Sequence, residues 1–232
     1  MKKLILFLLL FGSAVYAQNP IFMLAGSQTA STAFPAGSFF NEDFRASYQN
    51  PTLVTETGNP TENSTPPGSP PAGLPSKSLH VATTSAASYA EFLFASNSTA
   101  TRYHRFWLYI TSHSMADGGS TKVYKVMSHL GDASCGIRLR NNAGQLELDG
   151  NLGTAIPVST GQWYRVILKW VYNSSTGTLS VYDNTGTIVT SAQSVTVGTD
   201  DERSIQVGSF DAQTVNLDIV GVGIDDTGPL SP

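Results

Sequence analysis

Short segments in which apolar and polar residues alternate recur between residues 77 and 224, separated by glycine, asparagine, aspartate and serine. Alternation with a period of two is typical of a β-strand with one buried face, and no segment keeps a helical period over the length of a helix. The pattern predicts eleven strands, at 77–81, 88–94, 105–111, 121–127, 136–140, 145–149, 163–172, 178–183, 187–191, 204–209 and 216–224. Short strands at this spacing favour an all-β sandwich of two antiparallel sheets.

The alternation also assigns the two faces of the longest predicted strand, 163–172. One row is Tyr164, Val166, Leu168, Trp170 and Tyr172, and the other is Trp163, Arg165, Ile167 and Lys169. The first row is the more apolar, so we predict that it faces the core and that the second row faces outward.

A hairpin is predicted at 136–149. Its apolar positions, Ile137, Leu139, Leu146 and Leu148, share one face, and its charged positions, Arg138, Arg140, Glu147 and Asp149, share the other. A four-residue turn at 141–144 would place Arg138 directly opposite Glu147.

The segments before residue 77 are less regular. Residues 18–37 show no clear period and are predicted to form an irregular arm, whereas 38–45 carry aromatic residues around an acidic pair and are predicted to form a first strand of a single domain at 38–232. Residues 51–75 hold seven of the twelve prolines. Because proline lacks the N–H donor that a sheet needs, this segment is predicted to be an extended surface loop.

The chain begins with two lysines, an apolar block at 4–11 and small residues up to Ala17, the order of a bacterial secretory signal peptide at 1–17. Cleavage before Gln18 would leave 11 basic and 17 acidic residues, a formal charge of −6. That balance argues against nucleic acid as a partner, and no later segment is apolar enough for membrane insertion. The protein is therefore expected to be secreted or periplasmic, and its single cysteine, Cys135, cannot form an internal disulfide.

Several motifs in order carry a resemblance to a known family. Residues 161–184 open a strand with Gly-Gln-Trp-Tyr, pass through a glycine turn and end a second strand with Val-Tyr-Asp-Asn, and further strand motifs follow at 204–210 and 217–225 and precede at 40–44 and 78–81. This order resembles the laminin G-like branch of the concanavalin A-like lectin/glucanase superfamily, over residues 38–228. The resemblance implies a jelly-roll sandwich with one concave face, which in relatives binds glycans or proteins or, in enzyme branches, cleaves polysaccharide. Fold alone does not choose among these functions.

Glycoside hydrolysis is one enzymatic alternative. Retaining glucanases of this superfamily carry Glu-x-Asp-x-x-Glu on one strand, where alternate carboxylates act on one sugar. Residues 147–152 read Glu-Leu-Asp-Gly-Asn-Leu and lack the second glutamate. We therefore interpret Glu147 as an ion-pair partner of Arg138 and assign no catalytic residue.

A polysaccharide lyase is the other enzymatic alternative. Such an enzyme needs a proton acceptor, for which Tyr124 or His129 is available, and cations that neutralise a uronate carboxylate. The available cations are Arg138, Arg140, Arg165 and Lys169. The Arg-rich, Gln-x-His and Tyr-x-Lys signatures of jelly-roll alginate lyases are absent. The same charges would also be explained by an outer face on which they pair with acidic neighbours.

A structural calcium ion is a further expectation, because related sandwiches often hold one where the first and last strands meet, with oxygen ligands. Glu42, Asp43 and Asp218 are the candidate ligands. Acidic residues beside edge strands also keep such edges soluble, which is the alternative interpretation.

The sequence thus predicts a secreted module that binds a glycan or a surface polymer and performs no chemistry. The predicted ligand-binding residues are Arg138, Arg140, Glu147, Asp149, Arg165 and Lys169, which would line the concave groove, and Trp163, whose ring would stack on a sugar. Trp107 and Tyr109 could take that role if the phase of 105–111 is reversed. The alternatives are a polysaccharide lyase or glycoside hydrolase of jelly-roll fold, and a structural or adhesive surface protein that makes its contacts through the loop 51–75.

Overall fold

The computed structural model describes residues 52–68, 70–97, 101–128, 130, 133–150, 154–171, 174–199 and 202–225. These residues all belong to one of the two compact units of the chain, Ser31–Pro232. The predicted signal peptide at 1–17, the irregular arm at 18–37 and the first strand at 38–45 lie outside the described residues.

Fourteen strands form the described part of the chain. They are β1 (Thr52–Thr57), β2 (Thr61–Asn63), β3 (Ser78–Thr83), β4 (Ser88–Asn97), β5 (Thr101–His113), β6 (Ser120–Ser128), β7 (Ala133–Asn142), β8 (Gln145–Gly150), β9 (Ile156–Val158), β10 (Trp163–Val171), β11 (Thr176–Tyr182), β12 (Gln193–Thr196), β13 (Glu202–Ser209) and β14 (Val215–Asp225). Within these residues, no helix is long and apolar enough to cross a membrane.

The strands form two sheets of seven strands each. Sheet 1 has the order β1-β4-β13-β6-β7-β8-β9, and sheet 2 has the order β12-β11-β10-β5-β14-β3-β2. The two sheets are antiparallel throughout, and this arrangement confirms the predicted all-β jelly-roll sandwich.

The core lies between the sheets and is built from the alternate residues of each strand. In β10, Tyr164, Val166, Leu168 and Trp170 are all at least 98% buried in the main cluster, as their alternation predicts. The four apolar residues of the β7–β8 hairpin are buried in the same cluster. Since neighbouring side chains point to opposite faces, the charged residues of both segments lie on the outer faces of their sheets.

The β7–β8 turn is tighter than predicted. Asn142 pairs with Gln145, so the turn consists only of Ala143 and Gly144. Both have positive φ, 51° and 85°, as a two-residue hairpin turn of the primed type requires. The register therefore shifts by two residues: Arg140, and not Arg138, lies opposite Glu147, while Arg138 lies opposite Asp149.

Another difference concerns the strand predicted at 187–191. Only Ile188 forms a bridge there, to Tyr182, and β12 takes the position at the edge of sheet 2 instead. The reason is a tight turn after β11, in which one carboxylate oxygen of Asp183 accepts hydrogen bonds from the backbone N–H groups of Thr185 and Thr187. The residues of the turn are satisfied locally, so the returning chain touches β11 only briefly, at Ile188 and Val189, and pairs with it as a strand from Gln193 onward.

The proline-rich segment 51–75 was predicted to be a surface loop, but part of it forms strands. Its proline-free stretches form β1 and β2, which lie at the edges of the two different sheets. The prolines stand outside these strands, where no ladder hydrogen bond is lost.

The remainder of this segment lies against the outer face of sheet 2. The backbone oxygen of Pro67 accepts a hydrogen bond of 2.9 Å from the indole N–H of Trp163, and Leu74 packs against Trp107 and Trp163. Trp163 is consequently only 1% exposed. The prediction that it offers an exposed stacking surface is wrong, because the proline-rich segment covers it.

A charged cluster interrupts the apolar core. The carboxylate of Glu202 lies 2.9 Å from Arg102 Nε and 2.9 Å from His104 Nε2. The other ring nitrogen of His104 lies 2.9 Å from the hydroxyl of Tyr124. The guanidinium of Arg102 also lies over the ring of Trp170, 5.4 Å from its centroid. All five side chains are fully buried, so this cluster links β5 of sheet 2 to β13 and β6 of sheet 1 through the interior.

Cys135 is also fully buried, and burial raises the pKa of its thiol to about 12. Because only the thiolate reacts with thiol reagents, the native protein at neutral pH is expected to resist iodoacetamide, and the unfolded protein in guanidinium chloride is expected to be alkylated. Mass spectrometry of the two samples measures the difference. Rapid alkylation of the folded protein would contradict the burial of this residue.

Candidate functional site

The six charged residues predicted to line one groove are divided between the two sheets. Four of them, Arg138, Arg140, Glu147 and Asp149, belong to β7 and β8 of sheet 1, whereas Arg165 and Lys169 belong to β10 of sheet 2. Both groups point away from the core of their own sheet, so they lie on opposite sides of the sandwich. The prediction of a single groove lined by all six is therefore wrong.

The charged residues of sheet 1 form two ion pairs. Arg138 holds Asp149 with two hydrogen bonds, from Nε at 3.0 Å and from Nη2 at 2.9 Å, and Arg140 holds Glu147 at 2.8 and 2.9 Å. The side chain of Asp149 is 1% exposed and that of Glu147 is 15% exposed. These carboxylates thus serve as acceptors for the guanidinium groups of the neighbouring strand.

Arg165 and Lys169, the two predicted binding residues on sheet 2, lie near aromatic rings instead. The guanidinium of Arg165 lies 4.4 Å from the ring centroid of Tyr182, and the ammonium of Lys169 lies 5.9 Å from that of Tyr103. Neither makes an ion pair with a residue of the described ranges. The two faces thus differ in electrostatic character as well as in position.

A groove of about 700 Å³ lies beside the Arg138–Asp149 pair, over β6 and β7 of sheet 1. Its lining includes Gly119, Ser120, Lys122, Arg138, Asp211 and Gln213. These residues offer amide, hydroxyl, ammonium, guanidinium and carboxylate groups in one concave surface, the mixture that orients a polar ligand.

Side chain to backbone hydrogen bonds fix the two loops that wall this groove. On one side, Asn141 donates to the backbone oxygen of Met115 at 2.9 Å, and its own backbone bonds Gly118 and Gly119. On the other side, the hydroxyl of the buried Thr121 accepts from the backbone N–H groups of Phe210 and Asp211, both at 3.1 Å. The groove is therefore held in shape without a ligand, which lowers the entropic cost of binding.

Beside the groove, two aromatic rings and a lysine extend the same face toward β4. The rings of Tyr89 and Phe210 lie 4.5 Å apart, and Lys125 Nζ lies 4.0 Å above the ring of Phe210. Burial lowers the pKa of Lys125, and the nearby Lys122 lowers it further, whereas Asp211 and Glu91 oppose the shift.

Glu91 is another carboxylate on this face. It accepts hydrogen bonds from Ser204 at 2.6 Å and from Gln206 at 2.9 Å. A glycosidase acid must hold a proton near neutral pH and release it to the leaving group. The carboxylates of Glu91, Glu147 and Asp149 instead accept hydrogen bonds from side chains of the protein itself.

The residues considered for a lyase are not brought together. Tyr124 is fully buried, stacks on Phe106 with ring centroids 4.8 Å apart, and points toward His104 in the core. It cannot meet a polymer on an outer face, because its phase in β6 is inward. His129 lies outside the described residues, and the four candidate cations lie on opposite sides of the sandwich.

Of the candidate calcium ligands, Glu42 and Asp43 lie outside the described residues. Asp218 is 1% exposed, and its carboxylate accepts hydrogen bonds from Ser78 at 2.6 Å and Asn63 at 3.0 Å and contacts His80 at 3.1 Å. These contacts join β14 to β3 and β2. Across the part of the chain that the structure describes, no three His, Cys, Asp or Glu residues are grouped closely enough to hold a metal ion.

Sequence reasoning missed Lys122, Asp211 and Gln213 as groove residues. Lys122 stands between the buried Thr121 and Val123, and this alternation could have placed it on an outer face. Asp211 and Gln213 lie in the connection from β13 to β14. Nothing in the sequence of that connection indicates that it folds back beside β6.

Comparison with known protein families and with curated proteins found no match. Among solved structures, the binding domain of botulinum neurotoxin DC in complex with SialylT is similar, with a TM-score of 0.54 and 12% identity over 84% of this chain and 48% of that one. The catalytic domain of a glycoside hydrolase family 131 protein from Coprinopsis cinerea has a TM-score of 0.50 and 13% identity over 77% of this chain and 83% of that one. Lectin I-B4 from Griffonia simplicifolia has a TM-score of 0.40 and 11% identity over 64% and 87%.

These similarities concern the fold. The chain spans about half the length of the toxin binding domains that it matches. At these identities the likeness shows the fold alone, a jelly-roll sandwich of the kind that the sequence motifs implied, and leaves function to be argued from the site.

Proposed function

We propose that this protein binds a carbohydrate in the groove on the outer face of sheet 1 and carries out no reaction on it. The observation that carries the proposal is the groove itself: about 700 Å³, lined by polar groups of both signs and walled by two loops that hydrogen bonds hold in place. Sugar hydroxyl groups both donate and accept hydrogen bonds, so a lining of this kind suits them.

The similar folds support the carbohydrate class of ligand. One of them is a toxin binding domain in complex with SialylT, and another is the catalytic domain of a glycoside hydrolase. The binding role, rather than a catalytic one, is supported by the carboxylates of the face. Arg138 and Arg140 hold Asp149 and Glu147 in ion pairs, so these carboxylates are already engaged by side chains of the protein itself.

The test is binding by a groove variant and by a matched variant of the opposite face. A glycan array identifies a ligand of the wild type, and calorimetry then measures its affinity for Lys122→Ala/Gln213→Ala and for Lys169→Ala. A hydrogen bond from a charged group contributes about 1.5–3 kcal/mol and about 1.4 kcal/mol is tenfold in Kd, so the groove variant should bind about tenfold more weakly or worse. Lys169→Ala should bind as the wild type does.

Three results would contradict the proposal. They are a folded wild type that binds no glycan, a groove variant with unchanged affinity, and an equal loss in Lys169→Ala. Release of reducing or unsaturated ends from the bound glycan during prolonged incubation would contradict the absence of catalysis.

A further inference from the structure

Arg165, on the outer face of sheet 2, is a buried cation with no counter-ion among the described residues. It is 8% exposed, and its guanidinium lies between the rings of Tyr182 and Trp107, 4.4 and 5.9 Å from their centroids. Its Nε is buried and finds no hydrogen-bond acceptor in the part of the chain that the structure describes. Removing a cation from water is costly unless an anion or acceptor compensates, and the two rings compensate only in part.

Trp107, which pairs with Arg165 on the neighbouring strand, also has a buried donor. Its indole N–H has no acceptor among the described residues, and the residue is 3% exposed. The other two tryptophans differ, since Trp163 donates to the backbone oxygen of Pro67 and Trp170 to that of Gly198. Two adjacent side chains therefore each present a buried N–H group that lacks an acceptor.

No carboxylate of the described residues accepts a hydrogen bond from Arg165 Nε or from the indole of Trp107. In the strand register, Arg165 lies between Tyr182 of β11 and Trp107 of β5. Burial lowers the pKa of Arg165, while Tyr182 opposes the shift, and no carboxyl group contributes to either effect. The guanidinium nevertheless remains charged at any physiological pH, so the local electrostatics favour an anion.

The proline-rich segment fixes the position of Trp107. Leu74 packs on the cluster of Trp107, Trp163 and Val220. Gly221 makes this close packing possible: its φ is +63°, and a Cβ there would lie 2.9 Å from Leu74 and 3.3 Å from Trp107. The Trp107 ring is therefore held against sheet 2, with its centroid 5.9 Å from the guanidinium of Arg165.

We propose that Arg165 and Trp107 form a second binding site, which takes a carboxylate group of an acidic ligand such as a uronate sugar. A carboxylate has two acceptor oxygens, one for the guanidinium and one for the indole N–H. This site lies on the face opposite to the groove of sheet 1, and it stands independently of the glycan proposed there.

The three indole N–H groups allow a direct test by NMR. The ¹⁵N-labelled protein is titrated with oligogalacturonate and, in parallel, with its methyl ester, which has the same sugars without the charge. The Trp107 indole signal, assigned with Trp107→Phe, should shift with the acid and not with the ester, while the Trp163 and Trp170 indole signals should stay in place because their donors are already bonded. Arg165→Gln should weaken the acid's effect by at least about tenfold.

Lys122→Ala, in the groove of the other face, is the matched control and should titrate as the wild type does. The proposal is overturned if the Trp107 signal stays in place at saturating acid, if the ester shifts it equally, or if Arg165→Gln leaves the apparent Kd unchanged. Should Arg165→Gln fail to fold, Arg165→Lys replaces it. Lysine keeps the charge but loses the planar donors, so the same tenfold weakening is expected, and an unchanged Kd again overturns the proposal.

Discussion

Glu202→Gln is expected to lower the free energy of unfolding by about 3–5 kcal/mol, the cost of removing one partner from a buried ion pair. Glu202 is fully buried and contacts both Arg102 and His104 at 2.9 Å. Glutamine keeps the volume but not the charge, so the buried guanidinium loses its counter-ion contact. Urea denaturation followed by circular dichroism measures the change.

Glu147→Gln is the matched control, because it also removes a carboxylate from an arginine pair. Its partner Arg140 is 33% exposed, and water can replace the lost contact. The expected cost is at most about 1 kcal/mol. Equal losses in the two variants, or a loss below about 1 kcal/mol for Glu202→Gln, would mean that the interior cluster does not hold the sheets together.

Trp163→Ala is expected to cost about 3–5 kcal/mol as well, the range for truncating a large buried aromatic residue. The indole is 1% exposed, packs with Trp107 and Leu74, and donates to Pro67. The substitution should also loosen the proline-rich segment from sheet 2. Hydrogen exchange at the backbone amides of residues 72–74, compared with the wild type, measures this second effect.

Trp163→Phe separates packing from hydrogen bonding, because it keeps an aromatic ring and loses the indole donor. An intermediate cost is expected, since the backbone oxygen of Pro67 loses one hydrogen bond worth about 0.5–1.5 kcal/mol. If Trp163→Ala instead unfolded at the same urea concentration as the wild type and lost only glycan affinity, Trp163 would be the exposed binding residue that its outward phase suggested.

Alternation within a strand was sufficient to predict which residues share a face. It separated Tyr164 and Val166 from Arg165 and Lys169 correctly, because one side of β10 packs on the apolar core. It could not show that the outward residues of β7 and β10 lie on opposite sides of the molecule. That depends on which sheet each strand joins, and the long-range pairings of sheet order leave no local pattern.

Two further features of the structure could not be predicted from the sequence either. Ala143 adopts a positive φ that alanine rarely takes, so residues 141–144 suggest a longer turn than the one that forms. Arg102 and Glu202 occupy inward positions where an apolar residue would be expected, and each meets an opposite charge that comes from the other sheet. A partner about one hundred residues away in sequence cannot be recognised from the pattern on either strand.

The location of the carbohydrate site is tested most directly by mapping backbone amide shifts of the wild type during titration with a neutral oligosaccharide that it binds. A neutral ligand leaves the Arg165 site unoccupied, so the two proposals remain distinct. The shifts are expected to cluster at Gly118–Lys122, Arg138 and Asp211–Gln213, around the groove of sheet 1. Shifts confined to β10 and β11 on the outer face of sheet 2 would contradict the account.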